Sequence, residues 1–194
     1  MKKGHMATTL SDRQLEMELK RTVQQRKHLR SLCRTMSTMI VIAACLVLIA
    51  VLWLPVYQIT GKTMEPTLMQ GEIVVACRIQ DFDSGDIAAL YYENQILIRR
   101  VIGMPGDWID IDKMGKVSVN GELLAEDYLE ETVLGTSDIT YPYLVPEDCY
   151  FVMGDNREAA ADSRMSFIGC IEKEKMAGKV FLRVWPLPQA GYME

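Results

Sequence analysis

"MIVIAACLVLIAVLWL", residues 39–54, runs for sixteen residues without a charge, and the chain changes character across it. With "MST" before it and "PV" after, the stretch covers 36–56, 21 residues, enough for a helix to span a hydrocarbon core of about 30 Å. A buried core helix or a cleaved signal peptide is also apolar. A cleaved signal has a shorter basic region, a shorter apolar region and small residues at its cut site, whereas "WLPVYQ" follows here. A retained signal-anchor is therefore expected. Lys and Arg cluster just upstream, at Arg26, Lys27, Arg30 and Arg34, and nothing comparable follows. That bias places the N-terminus in the cytoplasm and the downstream domain on the outer face of the cell membrane, with Trp53 and Tyr57 suited to the outer interface.

Charge divides the same way. Residues 1–35 hold nine Lys/Arg against three Asp/Glu, and the remainder holds 12 against 23, so a +6 segment precedes a −11 domain. Two surroundings are implied, and the acidic part has no footprint for nucleic acid. "LSDRQLEMELKRTVQQRKHLRSLCR" has no Pro or Gly and near-helical apolar spacing. It reads as a cytoplasmic basic amphipathic helix capped by Ser11 or Asp12, either resting on anionic membrane lipid or simply solvated. "MKKGHM" is assigned no function.

Beyond Val56 the pattern is one of short runs between turn residues. Strands are expected at 72–79, 86–92, 95–103, 107–112, 116–121, 149–155 and 179–185. Breakers separate them at Asp83-Ser84-Gly85-Asp86, Pro105-Gly106-Asp107 and Asn120-Gly121, the last a hairpin signal between "KVSV" and "ELL". The organisation is a 1–35 segment, a 36–56 transmembrane helix and a mainly β domain over 57–194, with an acidic, less patterned cap at about 113–148. Five cysteines (Cys33, Cys45, Cys77, Cys149 and Cys170) follow no metal-type spacing. Cys149 and Cys170 flank a loop, so a disulfide between them is geometrically conceivable.

Four blocks stand in order after the anchor: "GKTMEPTLMQGEIVV" (61–75), "GDIAALYY" (85–92), "ILIRRVIGMPGDWIDI" (96–111) and "YFVMGDNREAAADSR" (150–164), with "GKVFLRVWP" (178–186) behind them. Their order and spacing resemble signal peptidase I of the Gram-positive bacterial type. The resemblance implies a coiled antiparallel β-domain whose apolar surface sits against the bilayer. It also implies a membrane endopeptidase with a Ser/Lys dyad, which removes signal peptides from exported proteins. In the family the serine opens S-M-x-P-T-L, the lysine precedes R-V-I-G, and a serine in G-D-N-R-x-x-S-x-D-S-R orients the lysine. No cofactor or metal is implied, and no oligomeric state is assigned.

Matched onto these positions, the nucleophile is Thr63, the base is Arg99 and the orienting serine is Ala160, while Asp162, Ser163 and Arg164 agree with the pattern. Gly61, Met64 and Pro66 fall where the resemblance puts substrate contacts. A threonine hydroxyl can attack when a base serves it. A guanidinium has no lone pair to offer at neutral pH. The three substitutions fall on the residues that handle the proton, so the expected protein binds signal or sorting peptides of exported proteins with cleavage impaired or lost. An active peptidase with a threonine nucleophile and an unconventional base is the alternative. For that base, Lys62 points to the opposite face from Thr63 and His5 and His28 lie on the cytoplasmic side; Asp155 and Asp162 come near by the resemblance, which also places both in structural positions next to arginines. Met64, Leu68 and Met69 are expected in the core or against the membrane, and Trp185-Pro186 likewise in the core or at the interface.

Overall fold

The computed structural model describes residues 4–79 and 81–193. It divides into two compact units, one running through Val51 and the other from Leu52 onward. The first is a helix, α1 (Gly4–Trp53). It passes the expected boundary at residues 35 and 36 without a break. Ser11 and Asp12, expected as its cap, lie well inside it, because no proline or glycine precedes them within the helix after Gly4. Leu32–Trp53, 22 residues of mean hydropathy 2.6, is long and apolar enough to cross a membrane once, reaching about 33 Å at about 1.5 Å per residue. Two hydroxyls in this stretch turn back on the helix: Thr35 donates to Leu32 O at 2.9 Å and Thr38 to Thr35 O at 2.8 Å. Pro55 ends the helix, since it disfavours helical dihedrals at the residue before it and has no N–H. The last residues of the 36–56 stretch therefore leave the helix, and Val56 already begins a strand.

The second unit is antiparallel β throughout. Its strands are β1 (Val56–Gln58), β2 (Ile73–Cys77), β3 (Ile87–Tyr92), β4 (Gln95–Gly103), β5 (Trp108–Ile111) and β6 (Val117–Val119). After these come β7 (Glu122–Leu123), β8 (Tyr143–Leu144), β9 (Cys149–Met153), β10 (Ile171–Glu172), β11 (Met176–Trp185) and β12 (Gly191–Tyr192). The larger sheet runs β1-β2-β11-β3-β4-β9-β10 with β12 on β11, and the smaller runs β7-β6-β5-β8. The smaller sheet includes Trp108–Ile111, upstream of the 113–148 stretch expected as a cap.

Local chemistry accounts for the corners. Asn120 and Gly121 both take positive φ (54° and 85°) between β6 and β7, as a two-residue hairpin requires. The Asn120 side chain also accepts from Trp108 N–H at 2.9 Å. Pro105-Gly106 sits at the centre of a turn closed by Asp107 N–H to Met104 O at 3.0 Å. In β2 the alternation buries Val74 and Ala76 while Ile73 and Val75 are half-buried.

One core cluster decides where the site goes. Ile59, Met64, Leu68, Val74, Ala76, Ile87, Ala89 and Ile98 pack together, so the loop between β1 and β2 is pinned from inside by Met64 and Leu68. Its neck is closed by Ile59 N–H to Glu72 O (2.8 Å) and Gly71 N–H to Ile59 O (2.9 Å). Met69 points outward, 49% exposed. Cys149 and Cys170 are free thiols, with Cys170 Sγ 3.3 Å from the Tyr143 hydroxyl. Leu68→Ala is expected to cost about 2–5 kcal/mol in urea unfolding of the detergent-solubilised protein, followed by tryptophan fluorescence. Met69→Ala should stay within about 0.5 kcal/mol; equal losses at the two positions would contradict the pinned loop.

Candidate active site

Three segments meet at Thr63: its own turn, strand β4 and the loop 154–164. Arg99 and Arg100 are neighbours on β4 and so point to opposite faces. Arg100 makes a two-pronged contact with Asp155, Nε to Oδ1 at 2.9 Å and Nη2 to Oδ2 at 2.7 Å. It also donates to Gly85 O at 2.7 Å and stacks over Tyr128 at 3.9 Å. Arg99 turns the other way, toward Thr63. Its Nη1 donates to Thr63 Oγ1 at 2.9 Å and to Ile98 O at 2.6 Å. Its Nε and Nη2 both donate to Ala161 O, at 3.0 and 2.8 Å.

The direction of the Arg99–Thr63 bond matters most for the chemistry. A general base must accept the hydroxyl proton, so the hydroxyl would be the donor. Here the guanidinium is the donor and occupies a lone pair on Thr63 Oγ1. Burial holds the Arg99 guanidinium below its ordinary value, Asp162 works against that shift and Arg164 adds to it. Arginine starts from so high a value that it stays protonated at neutral pH.

The loop 154–164 is built around one ion pair. Arg164 Nε and Nη2 reach Asp162 Oδ1 and Oδ2, each at 2.8 Å, with both side chains closed to solvent. Asp162 Oδ2 also accepts Gly154 N–H at 2.9 Å, and Arg164 Nη2 donates to Arg157 O at 2.9 Å. Ser163 is tied to β9, its Oγ accepting Val152 N–H at 3.0 Å. Asn156 N–H donates to Thr63 O at 3.1 Å, which joins the loop to the Thr63 turn. Gly154 is required by closeness: a Cβ there would collide with Ala160 Cβ and the Thr63 carbonyl oxygen. Ala160 is buried against it.

Thr63, Arg99, Ala160, Asp162, Ser163 and Arg164 thus lie together around the Thr63 turn. Met64 lines a cleft of about 320 Å³ together with Val56–Thr60, Thr63 and Gln95–Arg99. Gly61 and Pro66 do not line it. Gly61 holds the turn with φ of 80°, and Pro66 faces an acidic hollow beside Glu65, Glu130, Glu131 and Glu158. Of the other candidate bases, Asp155 is engaged by Arg100 and Asp162 by Arg164. Lys62 is exposed, and the side chains of His5 and His28 lie outside the described residues. Sequence reasoning missed the Ala161 and Ile98 carbonyls that hold Arg99. Main-chain acceptors carry no residue signature, so no motif could have flagged them.

An apolar helix ahead of an antiparallel β unit, with a hydroxyl residue hydrogen-bonded to a basic residue at the wall of a cleft, points to the signal peptidase fold. The chain matches the family model for signal peptidase, peptidase S26, over residues 32–185, and it belongs to that family. A probable signal peptidase I-2 of Synechocystis sp. is 34% identical over 148 residues, covering 70% of this chain and 65% of its own. This chain therefore spans slightly under two thirds of that relative. Signal peptidase I of Bacillus licheniformis is 37% identical over 155 residues, 72% of this chain and 81% of its own. A crystal structure of a signal peptidase I from Enterococcus faecalis V583 aligns over 51% of this chain and 96% of its own, at 29% identity and a TM-score of 0.42.

Removing one partner of a buried ion pair leaves an uncompensated charge and costs about 3–5 kcal/mol. Arg164→Met should show that loss in urea unfolding. Lys175→Met, at an exposed pair with Glu172, should change stability by no more than about 1 kcal/mol. A near-neutral Arg164→Met would remove the ion pair from its assigned role.

Proposed function

We propose that this protein engages extended signal or sorting peptides of exported proteins at the outer face of the membrane and does not hydrolyse them. The observation that carries this reading is the donation from Arg99 Nη1 to Thr63 Oγ1 at 2.9 Å. The group at the base position supplies a proton-bearing nitrogen where proton abstraction needs a lone pair. Ala160, which replaces the orienting serine, agrees with it. The carboxylates at Asp155 and Asp162 are each committed to an arginine, which speaks against an alternative base.

The peptide-binding parts are retained. β1 lies at the end of its sheet, and β4 pairs with β9 only from Arg100 onward, so one edge of Gln95–Ile98 is free. Both edges line the cleft. Ile59 spends its N–H and C=O on Glu72 and Gly71, so by alternation Gln58 and Thr60 present theirs outward. An extended peptide can add between the two edges as a further strand. Among the described residues the Thr63 N–H has no acceptor, leaving it available to a peptide carbonyl. The basic 1–35 segment and the acidic 57–194 domain support a cytoplasmic N-terminus and an extracytoplasmic β-domain.

A fluorogenic signal-peptide substrate separates this reading from an active threonine peptidase. The detergent-solubilised protein is expected to give no turnover above buffer. The triple variant Thr63→Ser/Arg99→Lys/Ala160→Ser should gain at least about 10²–10⁴ in rate, the range a positioned base contributes. Turnover by the unmodified protein that disappears in Thr63→Ala would overturn the non-catalytic reading.

A further inference from the structure

Four arginines in the β unit are buried: Arg99, Arg100, Arg157 and Arg164. Three have a carboxylate partner, namely Asp155, Glu126 and Asp162. Arg99 is 4% exposed, yet among the described residues no carboxylate comes within 4.0 Å of it. Its four hydrogen bonds all go to neutral oxygens: Ala161 O twice, Ile98 O and Thr63 Oγ1. One of the five N–H groups of a guanidinium is left over. A buried charge is normally paired because neutral acceptors replace water incompletely. An unpaired cation at the wall of an open cleft is a site for an anion.

The cleft specifies which anion. β1 and β4 both enter it at residues 56 and 95 and both run toward the corner where Thr63 meets Arg99. A peptide laid between them in the same sense brings its C-terminus to that corner. A peptide in the opposite sense brings its ammonium terminus there, against the guanidinium.

Resting on the peptide-binding reading above, we propose that the cleft recognises peptides ending at Thr63 in a free C-terminal carboxylate, which pairs with Arg99. The lining of Tyr57, Ile59, Met64, Ile96 and Ile98 suits apolar residues ahead of that terminus. Such a terminus is carried by the end of any completed chain and by the upstream product of an endoproteolytic cut, and the cleft would receive either.

The test uses the full-length protein in detergent and a fluorescein-labelled peptide of alternating leucine and alanine, read by fluorescence anisotropy. The free acid should bind about tenfold or more tightly than the C-terminal amide. Arg99→Gln should erase that preference and Arg99→Lys retain most of it. Equal binding of acid and amide overturns the carboxylate assignment while leaving peptide binding intact. An acid preference that survives Arg99→Gln overturns it too. An amide peptide carrying a penultimate aspartate that binds as well as the free acid overturns the terminal carboxylate in favour of a side chain. If neither acid nor amide binds, the peptide-binding reading falls and takes this inference with it.

Discussion

The Asp162 carboxylate holds the site together. It receives two nitrogens of Arg164 and the main-chain N–H of Gly154. Both ends of the loop 154–164 are fixed by it. Gly154 then lies directly under the Thr63 carbonyl, Asn156 hydrogen-bonds that carbonyl, and Ala161 presents its own carbonyl to Arg99. The pair survives burial because its charges cancel and its remaining hydrogen-bonding capacity is used by main-chain partners. Without it, the Thr63 carbonyl and the Nε and Nη2 of Arg99 would lose the partners that this loop supplies.

Adjacent residues on one strand meet opposite electrostatic fates. Arg100 is neutralised by Asp155 and serves the fold, binding Gly85 and covering Tyr128. Arg99 emerges on the other face, where the surrounding groups are carbonyls and a hydroxyl. A period of two in the backbone therefore separates a structural cation from one available to a ligand. Strand β4 accommodates Arg99 on this face because carbonyl and hydroxyl acceptors surround its guanidinium.

Much of this was readable in the chain. The strands at 72–79, 86–92 and 95–103 announced themselves by β-branched runs between Gly and Asp breakers, and Asn120-Gly121 fixed a hairpin. That Asp155 and Asp162 stand next to arginines followed from the motif. Other features had no local signal. β8, β10 and β12 are two residues long, too short for any periodicity, and exist because a neighbouring strand offers an edge. The helix start was misplaced because Ser11 and Asp12 look like caps, although nothing upstream of them stops a helix from continuing. The turn holding Thr63 was legible as a motif. That Gly61 and Pro66 shape it without facing the cleft depends on how Met64 and Leu68 pack beneath it.

The fork that Arg99 forms limits what a substitution at that position can do. Its planar group reaches Ala161 O through two nitrogens and Thr63 Oγ1 through a third. A lysine ammonium concentrates its donors at one point and cannot span both acceptors as a fork does. A lysine placed at 99 alone would forfeit that anchoring and, with alanine at 160, would meet no hydroxyl there. On the proposed non-catalytic reading, a working proton-transfer set therefore requires 99 and 160 to change together.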